Sequence, residues 1–259
     1  MAGFPEYKEN KMPLMDMEIK NDIAFVRMNS GVTNAVNPEL IADLSGIMTG
    51  IKNKAAAMIL TGNHRFFSMG FDLPKVMEFD RTRLGTYLAD FQNMIFQMAF
   101  LPLPVIAALT GHAVAGGAIL AIVCDYRIAK SEKLRIGFNE SLLGLTLPYL
   151  AELMLERFTG SRICGRLLVE GSLIKAENAI SLGLIDETCL LEGVMERAVQ
   201  KARQFLEIPG ETFAAMKENH LEAIREKYLA RVGPRTEQFM DLWFAKETRK
   251  RLARAMEKF

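Results

Sequence analysis

Residues Pro104–Cys124 read PVIAALTGHAVAGGAILAIVC, and this stretch decides which fold the chain adopts. It lies within a run from Phe91 to Cys124 that contains no Asp, Glu, Lys or Arg. Prolines, glycines and polar residues interrupt the run, so no window of about 20 residues is typical of a membrane-spanning helix. We therefore predict a buried strand at Pro104–Leu109, a glycine-containing turn, and a buried helix at Gly116–Cys124.

The sequence on both sides of this stretch alternates between strands and helices. Asp22–Met28 and Ala55–Thr61 are short apolar segments bounded by turn residues, which predicts strands. Between them, Asn37-Pro38 is typical of a helix start. Tyr126–Ala129 and Leu134–Ile136 are predicted as the next strands. This alternation favours an α/β fold.

The C-terminal third of the chain has a different pattern, with apolar residues at helical spacing among charged ones. Helices are predicted at Ala151–Phe158, Ser172–Leu182, Leu191–Phe205, Glu211–Leu229 and Thr236–Lys258. No Gly/Ser-rich linker precedes them, so we expect a packed appendage. We predict a core at residues 1–200 and a helical region, used for oligomerisation, at residues 201–259.

Composition and charge exclude several classes of protein. The 259 residues carry 32 basic and 31 acidic side chains, and half of them are apolar. A net charge of +1 gives little attraction to nucleic acid or to an anionic membrane, so we expect neither partner. The cysteines are odd in number and form no CxxC pair, which predicts reduced thiols, no zinc cluster and a cytoplasmic location. We find no secretion or transit signal at the N-terminus.

Two glycine-containing turns are candidates for a binding site. They are Phe67–Asp72, read as FSMGFD, and Gly111–Gly117, read as GHAVAGG. Free N–H groups at the start of a helix favour negative charge, so Gly116-Gly117 could hold an anion. Taken alone, these glycines are better explained by tight packing between strand and helix. Neither GxGxxG nor GxxxxGK[ST] occurs, so a dinucleotide or phosphate loop is not predicted.

Glu140 is the candidate for a general base. It lies between a short apolar strand and the apolar segment Leu142–Leu147, and desolvation there would raise the pKa of its carboxyl group. Taken alone, Glu140 is better explained by a structural role, such as capping the following turn.

Together these segments resemble the crotonase (enoyl-CoA hydratase/isomerase) superfamily, in the order and approximate spacing of that family. The segments that carry the resemblance are Phe67–Asp72, Gly111–Gly117, Cys124-Asp-Tyr-Arg-Ile128 and Asn139-Glu-Ser141. Weaker likenesses occur at Asn34–Asn37, Ala176–Leu184 and Phe244-Ala245. The resemblance covers roughly Asp22 to Lys258, and so many ordered segments are more specific than any one of them.

The resemblance implies a spiral of repeated strand-strand-helix turns with a helical C-terminal region, assembled as a homotrimer or hexamer. It implies an acyl-CoA thioester as substrate, with coenzyme A part of the substrate and no separate cofactor or metal. The thioester oxygen would be held by the backbone N–H groups of Phe71 and Gly116. Further substrate-binding residues implied by position are Ser68, Gly70, Gly117, Ile119 and Phe244.

The carboxylates indicate which reaction the resemblance implies. Hydratases of the family use two glutamates, and the first of these positions holds Ile119 here. The second holds Glu140, in a segment similar to that of the mitochondrial-type delta3,delta2-enoyl-CoA isomerases. Isomerisation needs one carboxylate, so the expected activity is the double-bond shift of fatty acid β-oxidation. Met69 and Phe71 are bulkier than the family pattern and would narrow the pocket.

The alternatives remain another CoA-thioester reaction on the same scaffold, such as thioester hydrolysis, decarboxylation or hydration, or acyl-CoA binding without turnover. A fold of this kind hosts many reactions. On the last helix, Lys246, Arg249 and Lys250 either meet the phosphates of CoA or form a solvated face.

The other polar candidates are given structural roles. We expect Asp72 to cap a helix and Asp125 to end the buried helix in a hydrogen-bonded pair. His112 is expected to be structural and His64 to lie in an exposed loop. The three histidines are widely separated, so neither a catalytic triad nor a metal site is predicted.

Overall fold

The computed structural model describes residues 14–257, which form ten β-strands and eleven α-helices. The strands are β1 (Met15–Lys20), β2 (Ile23–Met28), β3 (Ala57–Thr61), β4 (Phe66–Ser68), β5 (Val105–Leu109), β6 (His112–Val114), β7 (Tyr126–Lys130), β8 (Arg135–Gly137), β9 (Ile174–Lys175) and β10 (Glu187–Cys189). The helices are α1 (Pro38–Ile51), α2 (Leu73–Val76), α3 (Arg81–Ala99), α4 (Gly116–Ile122), α5 (Glu140–Leu143), α6 (Tyr149–Thr159), α7 (Ser161–Glu170), α8 (Ala176–Ser181), α9 (Val194–Leu206), α10 (Gly210–Phe244) and α11 (Lys246–Met256). The N-terminal segment, in which no targeting signal is expected, lies outside the described residues.

The strands form two sheets that the chain visits in turn. The larger has the order β1-β2-β3-β5-β7-β10, parallel except at β1, and the smaller has the order β4-β6-β8-β9, parallel except at β9. From β3 onward, a strand of the large sheet is followed by a strand of the small sheet and then by helix, three times in succession. This confirms the predicted spiral of strand-strand-helix turns.

The central strands are buried on both faces. Every residue of β3 and β5 is buried, and so is every residue of α4. Parallel strands covered on both faces lack polar alternation. The charge-free stretch from Phe91 to Cys124 therefore supplies the end of α3, β5, β6 and α4 in the interior. This confirms the predicted buried strand and buried helix, whereas the end of α3 and strand β6 were not predicted. No helix within residues 14–257 is both long and apolar enough to cross a bilayer.

Helix α1 begins as predicted. The side-chain oxygen of Asn37 accepts a hydrogen bond from the N–H of Leu40 at 2.8 Å, and Pro38 occupies the first turn. Leu44 and Met48 continue the apolar face into the core.

Several element boundaries differ from the predictions. Ser172–Leu182 is not one helix, because Ile174 and Lys175 form the edge strand β9 and the helix α8 covers only Ala176–Ser181. The two predicted helices on either side of Pro234 form one helix, α10. Pro234 is exposed, so the carbonyl that it leaves without an N–H partner can be hydrated. The break falls at Ala245 instead, whose backbone is extended. Strand β1 and helices α3 and α7 were not predicted.

The C-terminal helices are packed on the core. Lys217 of α10 donates to the carboxylate of Asp125 at 2.7 Å and to the carbonyl of Leu103 at 3.3 Å. Asp125 also accepts from the N–H of Val105, so it ends the buried helix in hydrogen bonds, as expected. The division predicted at residue 200 falls inside α9, which packs on β3 and β5, and the division itself stays a prediction.

Candidate active site

The two glycine-containing turns lie against each other. Gly70 has φ of +84°, a conformation that favours glycine, and a Cβ added to it would lie 2.6 Å from the nitrogen of Gly116. A Cβ added to Gly116 would lie 2.9 Å from the Cα of Gly70 and 3.5 Å from the ring of Phe71. The glycines therefore let two backbones approach closely, and both the packing role and the exposed N–H groups predicted for them occur together.

Two backbone N–H groups at this contact are available to a ligand. Phe71 lies opposite Val36 in an isolated parallel bridge. The N–H of Val36 donates to the carbonyl of Gly70 at 2.8 Å, and the N–H of Asp72 donates to the carbonyl of Val36 at 3.1 Å. The N–H of Phe71 takes no part in this bridge. Gly116 is the first residue of α4, where an N–H has no intrahelical partner. Within residues 14–257 neither N–H group meets an acceptor.

The turn that carries Gly116 is strained. Ala115 has φ of +50° and ψ of −123°, which is unusual for a residue with a side chain and costs on the order of 1–3 kcal/mol. Its N–H donates to the carbonyl of Gly137 at 2.9 Å, which holds the turn against β8. Strain that the surroundings impose in this way is typical of a preorganised site.

The other turn is held by hydrogen bonds from two side chains. The hydroxyl of Ser68 donates to the carbonyl of Asn34 at 2.7 Å and accepts from the N–H of Gly70 at 3.1 Å. The side-chain amide of Asn34 donates to the carbonyls of Phe66 and Phe67. Ser68 thus positions the Gly70–Phe71 backbone.

Glu140 is the titratable group of the site. It is the first residue of α5, directly after β8, and its side chain is buried. Its Oε2 atom has no hydrogen-bond partner among the described residues. Burial among apolar groups raises the pKa of Glu140 from 4.5 to about 7, the range in which a carboxylate acts as a base near neutral pH.

Glu140 and the two turns face one cavity of about 80 Å³. Its lining is apolar apart from the polar atoms of Asn139, Glu140 and Trp243 and the turn backbones. Among the residues predicted for the site, it is lined by Phe71, Gly116, Ile119 and Glu140, and Met69 lines it as well. The structure therefore brings together the predicted base and the predicted N–H donors, beside the two bulky residues Met69 and Phe71.

The remaining predicted substrate-binding residues lie elsewhere. Gly70, Gly117 and Ser68 are outside the cavity lining, and a Cβ on Gly117 would overlap the carbonyl of Ser68. Phe244 is exposed at the end of α10, whereas its neighbour Trp243 lines the cavity. Adjacent helical residues point about 100° apart, so one of the pair faces inward. Trp243 was missed as a site residue, although its spacing of four from Phe239 marks one helix face.

The residues given structural roles have protein partners. Asp72 accepts from the N–H of Lys75 at 3.4 Å, which confirms it as the cap of α2. The Nδ1 atom of His112 accepts from the N–H of Arg135 at 3.0 Å, and burial together with nearby cations lowers the pKa of this imidazole. His64 lies exposed, as expected.

The basic residues of the last helix differ in exposure. Lys246 and Lys250 are exposed, whereas Arg249 donates to the carbonyl of Met77 at 2.9 Å.

Within residues 14–257 no group of three or more His, Cys, Asp or Glu side chains could hold a metal ion.

Comparison with known proteins identifies the class to which this fold and site belong. The family model described as enoyl-CoA hydratase/isomerase matches residues 18–259. A probable enoyl-CoA hydratase of Mycobacterium avium is 32% identical over 197 residues, which cover 75% of this chain and 76% of the relative. Enoyl-CoA delta isomerase 3 of Arabidopsis thaliana is 30% identical over 213 residues, which cover 78% of this chain and 86% of the relative. The chain belongs to the enoyl-CoA hydratase/isomerase family, within the crotonase superfamily.

Solved structures agree on the fold. The human mitochondrial delta3-delta2-enoyl-CoA isomerase superposes with a TM-score of 0.91 at 23% identity, covering 95% of this chain and 97% of that chain. The enoyl-CoA hydratase of Bacillus halodurans superposes with a TM-score of 0.86 at 25% identity, covering 93% of this chain and 99% of that chain. Proteins named for either reaction therefore share this scaffold, and the reaction has to be inferred from the site.

Proposed function

We propose that this protein is a delta3,delta2-enoyl-CoA isomerase of fatty acid β-oxidation. The observation that carries the proposal is the pairing of the buried carboxylate of Glu140, whose Oε2 atom has no partner among the described residues, with the N–H groups of Phe71 and Gly116 at one cavity. Ile119 lines the same cavity, at the position where the family resemblance places a hydratase glutamate. Moving a double bond within a thioester requires one base that removes a proton and later returns it. Adding water requires a second group to activate that water.

The steps follow from the geometry of the cavity. The carboxylate of Glu140 removes a proton from C2 of a 3-enoyl thioester, and the electron pair of that bond delocalises through the carbonyl and the alkene. The resulting dienolate carries its negative charge on the thioester oxygen. The N–H groups of Phe71 and Gly116 donate to this oxygen, and donors held in place in this way are each worth about 3–4 kcal/mol. Glu140 then returns the proton to C4, which leaves the double bond between C2 and C3.

The apolar lining supports a base of this kind. Because water is largely excluded, the carboxylate is desolvated and its pKa lies close to the pH at which the enzyme would work. Ile119 supplies no proton and no hydrogen bond at the place where a hydratase would hold a second water-activating group. A dienolate formed here is therefore reprotonated by Glu140.

The first prediction concerns turnover by the Glu140→Gln variant. Wild-type protein should convert a 3-enoyl-CoA to the 2-trans-enoyl-CoA, and Glu140→Gln should lower kcat by at least about 10²-fold, because the amide cannot accept the C2 proton. Turnover is measured from the absorbance of the conjugated thioester. Glu222→Gln, on an exposed face of α10, is the matched control and should retain wild-type turnover. Wild-type turnover by Glu140→Gln would contradict the assignment of the base.

A second candidate reaction is hydration, because a mycobacterial relative is named a probable hydratase. A panel of 3-enoyl-, 2-enoyl- and malonyl-type CoA thioesters separates the candidates by product. Formation of a 3-hydroxyacyl-CoA from a 2-enoyl-CoA at a higher kcat/KM than isomerisation would favour hydration. Release of free CoA or of CO₂ would favour hydrolysis or decarboxylation.

We further propose that the protein is a homotrimer or hexamer, as the family resemblance implies, and that it is located in the cytoplasm. Three free cysteines in the described residues are compatible with a reducing compartment. The mass of the native assembly, against 29.0 kDa for one chain, tests the oligomeric state.

A further inference from the structure

The cavity holds polar atoms that the proposed reaction does not use. Trp243 is fully buried, lines the cavity, and its indole Nε1–H has no acceptor among the described residues. Asn139 lines the same cavity, and its side-chain oxygen is buried without a donor among the described residues. In the proposed mechanism, only Glu140 and the backbone of the two turns touch the reacting atoms.

Leaving such groups unsatisfied is costly. An unpaired buried donor or acceptor destabilises a protein by about 1–3 kcal/mol, and nearly all buried polar groups therefore have partners. A purely hydrocarbon acyl chain would displace water from the cavity and leave both atoms unpaired. A substrate that supplies the missing partners avoids this cost.

The chemistry of the two atoms limits what the partner can be. Trp243 needs an acceptor and Asn139 needs a donor, and a hydroxyl group provides both. A carboxylate is disfavoured, because the described lining includes no Lys or Arg and does include Glu140. An ammonium group has no acceptor to offer the indole. A cavity of about 80 Å³ admits only a short chain, so the polar group must lie close to the reacting carbons.

We propose that the substrate is a short acyl-CoA with a hydroxyl group beyond C4, which accepts a hydrogen bond from Trp243 and donates one to Asn139. This rests on the proposed function, because C2 to C4 are the carbons that the isomerisation uses. The site is then specific for a hydroxylated acyl group. Sites built to bond a hydroxyl discriminate strongly against analogues that lack it.

The test measures binding, so that it does not depend on turnover. Dissociation constants of hexanoyl-CoA, 5-hydroxyhexanoyl-CoA and 6-hydroxyhexanoyl-CoA are determined by calorimetry with wild-type protein. We expect at least one hydroxylated thioester to bind about tenfold or more tightly than hexanoyl-CoA. Equal affinities for all three, or no binding of any, would overturn the inference, and equal affinities would mean that ordered water satisfies the indole.

Variants assign the preference to residues. In Trp243→Phe the preference for the hydroxylated thioester should disappear, because the ring remains and the N–H is lost. Phe239→Leu, which alters the same cavity without a polar atom, should weaken both classes of thioester equally and keep the preference. Asn139→Ala is the second variant, should Trp243→Phe fold poorly, and should reduce the preference. A preference that survived in a folded Trp243→Phe protein would contradict the proposal.

The two proposals can fail separately. If hydroxylated thioesters bind preferentially but no 3-enoyl-CoA is converted, the isomerase proposal fails and the specificity stands. If 3-enoyl-CoA is converted but a hydroxyl group on the acyl chain does not affect binding, the isomerase proposal stands and the proposed specificity fails.

Discussion

Glu140 is buried among apolar side chains, and this environment sets its chemistry. Its carboxyl group has a pKa of about 7 because the charged form is poorly solvated in the cavity. The group is thus partly ionised near neutral pH. It can accept a proton in one step and release it in the next.

The second prediction is the pH dependence of turnover. The base must be ionised, so kcat/KM for a 3-enoyl-CoA should rise with pH through an inflection near 7 and level off above it. Steady-state rates across pH 5 to 9 measure this. An inflection near the ordinary carboxyl pKa of 4.5 would contradict the desolvation of Glu140.

The same shift affects stability. Between pH 4.5 and about 7 the folded protein keeps the proton on Glu140, whereas the unfolded chain has released it. The free energy of unfolding therefore falls as pH rises through this range. Glu140→Gln has no such proton. It should be more stable than wild type at pH 8 by on the order of 3 kcal/mol and equal to it near pH 4, as measured by urea unfolding at both pH values.

At the scale of the element, α10 is joined to the core by ion pairs of two kinds. Lys217 is 7% exposed in its pair with Asp125. Arg81 of α3 contacts Glu237 and Asp241 at 2.8 Å, but all three side chains are largely in solvent. Removing one partner of a buried ion pair leaves the other charge buried without compensation. Removing one partner of an exposed ion pair leaves a charge that water solvates, so the loss of stability is small.

The fourth prediction follows from this difference. Lys217→Ala should lower the free energy of unfolding by about 3–5 kcal/mol, because the carboxylate of Asp125 beneath the helix loses its positively charged partner. Arg81→Ala, which removes the exposed ion pairs between α3 and α10, is the matched control and should leave stability unchanged within error. Urea unfolding of both variants provides the measurement. Equal losses would show that α10 is not anchored at Lys217.

At the scale of the whole molecule, the C-terminal helices close the site that the sheets and turns build. Leu252 of α11 is fully buried, and the hydroxyl of Thr248 donates to the carbonyl of Gly144 at 3.2 Å, just after α5. Ala255 lines the cavity. The environment of Glu140 therefore depends on a helix more than 100 residues away in sequence.

The fifth prediction tests this closure. Leu252→Ala should cost about 2–5 kcal/mol and loosen α11, so water reaches the cavity and the inflection in kcat/KM moves from about 7 toward 4.5. Arg254→Ala, exposed on the same helix, should leave the profile unchanged. An unchanged inflection in Leu252→Ala, despite lost stability, would mean that α11 does not desolvate Glu140.

Much of the core and the site follows from local sequence. The fold class, α1 with its cap at Asn37, and the buried strand and helix around Gly116 are encoded by apolar patterning and by residues suited to turns. The family resemblance supplied Phe71, Gly116 and Glu140 as a set. These residues could be found in the sequence because the turns and the strand end are short segments. The backbone conformation of each segment depends on a few neighbouring residues.

Other features could not be predicted in this way. Helix α3 was not predicted, although it has apolar residues at helical spacing, because its C-terminal half lies in the charge-free run and lacks the contrast between a polar and an apolar face. Strand β9 has two residues, too few for any period, and forms only because β8 offers an edge. Pro234 predicts a helix break, yet α10 continues because its packing on the core outweighs one lost hydrogen bond.

The sequence by itself predicted the α/β scaffold, and its resemblance to the family proposed Glu140 as the base and the N–H groups of Phe71 and Gly116 as donors, because each of these segments is short and continuous in the chain. Only the tertiary structure decided that Trp243 faces the cavity while Phe244 faces solvent, and that Trp243 and Asn139 are left without partners there. It also decided the degree to which Glu140 is desolvated. The physical reason is that burial and hydrogen-bond partnership are set by groups distant in sequence, which meet only when α10 and α11 pack over the turns.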